Sequence, residues 1–124
     1  MTVVRSADAR RTTTPNATMT TFASPTQGGA ASAMWRVDMA TGAKGPVHSF
    51  DVEQIWTVLD GAATIDIADH SHSVATGDTV ILPAGVPRQI HADPNLGFAA
   101  VVAAPAGARA RPIDGDEVVP AWIA

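Results

Sequence analysis

The chain contains no cysteine and no tyrosine, and its aromatic residues come to three Phe and three Trp. Without cysteine there are no disulfides, no thiolate metal sites and no Cys nucleophile, so a metal ion would have to be held by nitrogen and oxygen. Basic residues are few as well, 8 against 12 acidic ones for a formal charge of -4, which leaves no electrostatic footprint for nucleic acid or an anionic membrane. Gly, Pro and Thr interrupt every apolar stretch before it reaches the length of a membrane span. The residues before about position 20 also lack the apolar run of a secretory signal, which gives the expectation of a cytoplasmic protein.

What is present is a sequence of 124 residues that is 46% hydrophobic and only 16% charged, enough apolar material for one compact core. Residues 1–25, with Arg5, Arg10 and Arg11, read as a cationic N-terminal arm, either loosely held or pairing as a strand with a second subunit. Residues 26–124 form the remaining unit and end in a polar tail after Pro105, with a short packing element over Val118 to Ile123. From Ala30 onward the apolar residues alternate with period 2. Strands are predicted at Ala33–Met39, Gln54–Leu59, Ala63–Ala68, His72–Ala75, Thr79–Leu82, Arg88–Ala92 and Phe98–Ala104. Turn chemistry separates them at Asp60-Gly61, Asp69-His70-Ser71, Thr76-Gly77-Asp78, Pro83-Ala84-Gly85 and Asp93-Pro94-Asn95. No segment has the pattern of an amphipathic helix. An all-β chain of this kind closes into a barrel or sandwich, which removes exposed strand edges.

Gly42, His48, Phe50, Gln54 and Gly61, followed by Gly77, Pro83, Gly85, Arg88 and Ala92, stand at the spacings of two motifs that resemble those of a single-domain cupin, a small jelly-roll β-barrel. The 15 residues between Gly61 and Gly77 match the short gap of bacterial members, and the resemblance covers roughly residues 30 to 105. It implies a barrel in which three His and one Glu or Gln converge on a divalent ion. Here only His48 and Gln54 stand in register, while Phe50 replaces one His, Arg88 another, and Ala92 the Asn that closes the second motif. Phe offers no lone pair, and a guanidinium repels a cation. His91 is the substitute third ligand for a set of His48, Gln54 and His91, but strand alternation sends it outward if Arg88 points inward. His70 and His72 read as solvated turn residues that could chelate weakly at most.

Alternation also assigns a pocket wall. With Gln54 inward, Trp56 and Val58 share its face; Trp35, Val37 and Met39 form the inward set of the preceding strand, and Phe50 completes an apolar, aromatic lining. Arg88 is the only basic residue between Lys44 and Arg109. If it enters the barrel it either plugs the site on a backbone or acidic partner, or forks a carboxylate, enolate or phenolate oxygen of a ligand. His48 is the candidate general base or acid.

Three functions follow, each with a small-molecule ligand. The first is a proton-transfer enzyme of isomerase, lyase or cyclase type acting on an oxygenated or carboxylated substrate, with His48, Gln54 and Arg88 as catalytic groups and Trp35, Phe50, Trp56 and Arg88 binding substrate. The second is a mononuclear metal enzyme of oxygenase or lyase type, and the third a non-catalytic ligand-binding cupin. The cofactor expectation is accordingly none or one divalent metal ion, and the expected partner beyond the ligand is a second copy, giving a homodimer.

Overall fold

A computed structural model describes all 124 residues. Ten strands make up the regular structure: β1 (Arg10–Thr13), β2 (Thr18–Ala23), β3 (Ser32–Met39), β4 (His48–Phe50), β5 (Gln54–Ile67), β6 (His70–Ala75), β7 (Thr79–Leu82), β8 (Arg88–Ala92), β9 (Phe98–Pro105) and β10 (Ala110–Pro112). The only helical piece is a single 3-10 turn at Ser6–Asp8, and no helix is long and apolar enough to cross a membrane. The pairings between strands are all antiparallel. One sheet runs β1-β2-β3-β9-β5-β7 and the other β10-β4-β8-β5-β6, so β5 belongs to both. This is the jelly-roll barrel that the alternation and the motif spacing led us to expect.

Two expectations are revised. Asp60-Gly61 is not a turn between two strands. It is a bulge inside one long strand, with a register shift between Val58 and Asp60, and it marks where β5 leaves the first sheet for the second. Gly61 sits at φ +74, and a Cβ there would collide with the Gly97 carbonyl, so the crossing depends on a residue without a side chain. Residues 10–23 of the N-terminal arm are likewise part of the barrel: β2 pairs along β3 from Thr18↔Asp38 to Ala23↔Met34, and β1 pairs on β2. The outer edge of β1 ends this sheet.

The core lies between the two sheets. Trp35, Val37 and Met39 from β3, Trp56 and Val58 from β5, Ile65 from its far half, Leu82 from β7 and Ile90 from β8 are all buried. Alternation therefore holds: Arg36 and Asp38 pair with each other on the outer face at 3.0 Å. The chain's last turn closes one end, where Ile123 is fully buried and Thr21 Oγ1 donates to the Trp122 carbonyl at 2.8 Å. Side chains of Arg10, Ser24 and Thr26 donate to the Ala124 carbonyl. On the outer face of the first sheet, Met34, Ala103, Ile55 and Ile81 are register neighbours across four strands. Three of these stay open to solvent, Met34 and Ile55 at 44% and Ile81 at 60%, which makes an apolar row across that face.

Candidate functional site

The space between the sheets is not completely filled. A cavity of about 400 Å³ remains, within the range of small-molecule pockets. Its walls come from both sheets: Trp35, Val37 and Met39 on β3, Gln54 and Trp56 on β5, His48 and Phe50 on β4, and Ile90 on β8. These positions fall on the inward face because each strand alternates, the physical basis on which the sequence placed Trp35, Phe50, Gln54 and Trp56 here. Sequence reasoning missed the mouth. Met19 of β2, Thr14, Asn16 and Ala17 of the β1–β2 turn, and Pro120 and Trp122 of the last segment also line the cavity. The Met19–Thr21 alternation within β2 was the available signal, but the surrounding Thr and Ala residues made it faint. All three tryptophans of the chain thus face one cavity.

Polar groups are few and specifically held. His48 Nδ1 lies 2.9 Å from the Pro46 carbonyl; a carbonyl only accepts, so Nδ1 carries the proton and Nε2 of the neutral ring keeps its lone pair. Burial pushes the His48 pKa below its ordinary value, the Pro46 bond opposes this, and the nearby positive charge of Arg88 lowers it again. The ring stands edge-on to Phe50 with centroids 5.4 Å apart.

Gln54 is fully buried, and its Oε1 accepts two hydrogen bonds, from Trp56 Nε1 at 3.0 Å and from Arg88 Nη2 at 2.7 Å. Its Nε2 has no partner within the protein and is closed to water. Arg88 enters the barrel, as its motif position requires, and is 2% exposed. Its guanidinium lies 4.6 Å from the Phe50 ring centre. It does not line the cavity, because Gln54 and Phe50 stand between. The expectation that Arg88 touches substrate directly is therefore corrected: it reaches the cavity through Gln54. No acid accompanies it, since no Asp or Glu is among the buried residues. Desolvation alone lowers its pKa from the ordinary arginine range to about 10.

The residues do not fit a divalent metal ion. The Gln54 oxygen that would ligate is already taken by a guanidinium and an indole, and Phe50 contributes no donor. The third candidate, His91, is on the opposite face of β8, where its Nε2 lies 2.8 Å from Asp66 Oδ2. It borders a separate outer cleft of about 340 Å³ with Thr64, Ser73 and Asp78. The set of His48, Gln54 and His91 is thus not brought together, because β8 is regular and residues 88 and 91 fall on different faces. His70 and His72 are both exposed, with ring centres 6.4 Å apart.

Comparison with known proteins agrees with this architecture. The chain superposes on the polyketide cyclase RemF from Streptomyces resistomycificus with a TM-score of 0.77 at 19% identity, covering 94% of this chain and 87% of that one. Salicylate 1,2-dioxygenase from Pseudoaminobacter salicylatoxidans matches with a TM-score of 0.73 at 16% identity, over 86% of this chain and 31% of that one. Oxalate decarboxylase from Bacillus subtilis matches with a TM-score of 0.71 at 17% identity, over 81% and 28%. At such identities the likeness shows the fold alone. A search of curated proteins finds no match. The cupin domain family matches residues 35–101, more than half of the sequence, so the chain belongs to the cupin family.

Proposed function

We propose that this cupin is an enzyme that moves a proton on an oxygenated, largely apolar small molecule bound in the barrel, a reaction of isomerase, lyase or cyclase type. The observation that supports it is the pairing of a neutral base with an oriented donor on one aromatic cavity. The Pro46 carbonyl fixes the tautomer of His48, leaving Nε2 free to accept a proton. The two hydrogen bonds to Oε1 fix the Gln54 amide and leave Nε2–H as its one unpartnered donor, which a small shift of the surrounding side chains would open to a substrate oxygen.

In this reading Nε2 of His48 takes a proton from the carbon next to a carbonyl. The electron pair moves onto the carbonyl oxygen, which gains negative charge and is stabilised by the hydrogen bond from Gln54 Nε2. The imidazolium then returns the proton to a different atom, or to a leaving group, and the enzyme is regenerated. Trp35, Trp56 and Phe50 hold a planar substrate by area and stacking. Arg88 is a positioning residue that holds Gln54. The likeness that spans nearly the whole chain is to a polyketide cyclase, which is in keeping with a cyclase-type reaction on a planar oxygenated substrate.

The test is a screen of oxygenated aromatic and polyketide-like compounds for conversion by mass spectrometry, followed by the His48→Ala variant. The variant should keep its far-ultraviolet circular dichroism and lose turnover by about 100-fold or more, the usual contribution of a general base. Full activity of His48→Ala overturns the mechanism.

A further inference from the structure

Charged side chains inside proteins are normally neutralised by a partner, because transfer from water is costly. Arg88 breaks this rule. Its one hydrogen bond goes to the neutral oxygen of Gln54, while Nε and Nη1 are shut off from water without any partner. The ion pairs of the chain lie elsewhere on its surface, and no carboxylate is buried. Phe50 contributes the negative face of its ring, which offsets part of a charge and does not cancel it.

This uncompensated charge sits directly behind one wall of the cavity. Gln54 lines the cavity and holds the guanidinium through Oε1, so one side chain links the charge to the cavity wall, and its Nε2–H is left without a partner in the protein. The one titratable group on the cavity wall, His48, has its pKa lowered by burial and by Arg88, which disfavours a competing positive charge there. The remaining walls are mostly apolar, and in a low-dielectric enclosure a fixed charge acts over several ångströms.

We infer that the missing counter-charge is the ligand's: the cavity selects an aromatic or otherwise planar organic anion, a carboxylate or enolate. Arg88 balances its charge from behind Gln54 and Phe50. This rests on the reading of the cavity as a ligand site and adds the charge class of what enters it. The protein's overall charge of -4 would repel such a molecule at long range, so a preference for anions has to originate inside the barrel.

The three tryptophans, all on the cavity wall, provide the readout. Titration of the purified protein at pH 8 with trans-cinnamate and, separately, with the neutral trans-cinnamamide, followed by tryptophan fluorescence, compares two molecules of nearly equal shape. The expected result is that cinnamate binds about tenfold or more tighter than the amide. In Arg88→Met the two should bind alike. Arg88→Gln, which retains a donor for Gln54 without the charge, is the second variant and should behave as Arg88→Met does. Equal binding of both probes to the wild-type protein leaves the cavity a ligand site and overturns the anion inference. A cinnamate preference that survives in either variant overturns the assignment to Arg88. No binding of either probe up to millimolar concentration sinks this inference together with the ligand-site reading.

Discussion

Replacing Arg88 by Met separates a residue kept for stability from one kept for function. At neutral pH the guanidinium is charged in both the folded and unfolded chain, but folding removes it from water. The drop to about 10 corresponds to a cost of roughly 3 kcal/mol at about 1.4 kcal/mol per unit. For a base whose folded value is lowered, this penalty is complete below pH 10 and fades only as pH rises above that toward the group's ordinary value. Against it stand the hydrogen bond to Gln54, about 2 kcal/mol for a charged donor, and the contact with Phe50, about 1 kcal/mol. Methionine gives up both sides of this balance and fills most of the volume with flexible apolar atoms. Gln54 Oε1 retains Trp56 as a donor, so no acceptor is orphaned. The stabilities of the wild type and Arg88→Met in urea should therefore agree within about 1 kcal/mol, a midpoint shift under about 1 M. A structural plug behaves differently. Breaking a buried charged network costs about 3 to 5 kcal/mol, and a loss of that size in Arg88→Met would refute the reasoning.

Further outcomes follow from the same geometry. Because burial and Arg88 lower the pKa of His48, neutral base is available below its ordinary value of 6.5, and the acid limb of the pH–rate profile should fall below that pH. The limb should move up in Arg88→Met; Arg88 is the charged group acting on the ring, whose other close neighbours, Phe50 and Pro46, carry no charge. The sign for stability is the same: the folded chain keeps His48 neutral while the unfolded chain protonates near 6.5. Stability is therefore lost as pH falls from there toward the folded value, which urea midpoints across that window would show. Gly61→Ala forces a Cβ onto the Gly97 carbonyl at φ +74 and should lower stability by about 2 kcal/mol or more; an unchanged melting temperature would mean that the sheet crossing tolerates a side chain. We propose that the apolar row of Met34, Ala103, Ile55 and Ile81, flanked by the opposite charges of Arg36 and Asp38, is where two copies meet. Sedimentation should give a dimer for the wild type and a monomer for Ile81→Lys, and a wild-type mass near that of one chain counts against it.

The strands legible in the sequence were those bounded by clear turn residues, whether they alternate, as Ala33–Met39 does, or run continuously apolar, as Phe98–Ala104 does. Thr79–Leu82 and Arg88–Ala92 were predicted to the residue, and Ala33–Met39 and Phe98–Ala104 to within one. What escaped was local structure without a local signal. β4 has three residues and β10 three, and both owe their existence to pairing with each other and, for β4, with β8. β1 and β2 consist largely of Thr, Ala and Arg, which alternate too weakly to show a face, although β2 buries Met19 and Thr21. Asp60-Gly61 carries the residue types of a turn, and the distinction between a turn and a bulge rests on whether the chain reverses, which tertiary pairing decides. The cavity's back wall was legible because period 2 dictates direction once Gln54 is placed. Its mouth was not, since Trp122 approaches from a segment with no period at all.

The motif spacing placed an arginine inside the barrel, and what the structure adds is its lack of an acid and its position behind Gln54. The substitution changes the chemistry the site can offer. A metal ion has open coordination positions and draws electron pairs from oxygen atoms bound to it. A guanidinium carries charge and N–H donors and accepts no electron pair. Held by Gln54 and Phe50, Arg88 can stabilise negative charge on a nearby oxygen, and proton transfer to a neutral His48 generates such charge. On the proposed reading the two departures from the family's ligand set act together: Phe50 removes a ligand and supplies the ring on which the cation rests, and Arg88 removes another and supplies the cation. Either change alone would leave a half-built site, a phenyl ring facing a metal ion or a guanidinium competing with one. A double-mutant cycle on Arg88→Met and Phe50→Leu measures that coupling. It should return an interaction of about 1 kcal/mol or more, and additive effects would show that the two positions changed independently.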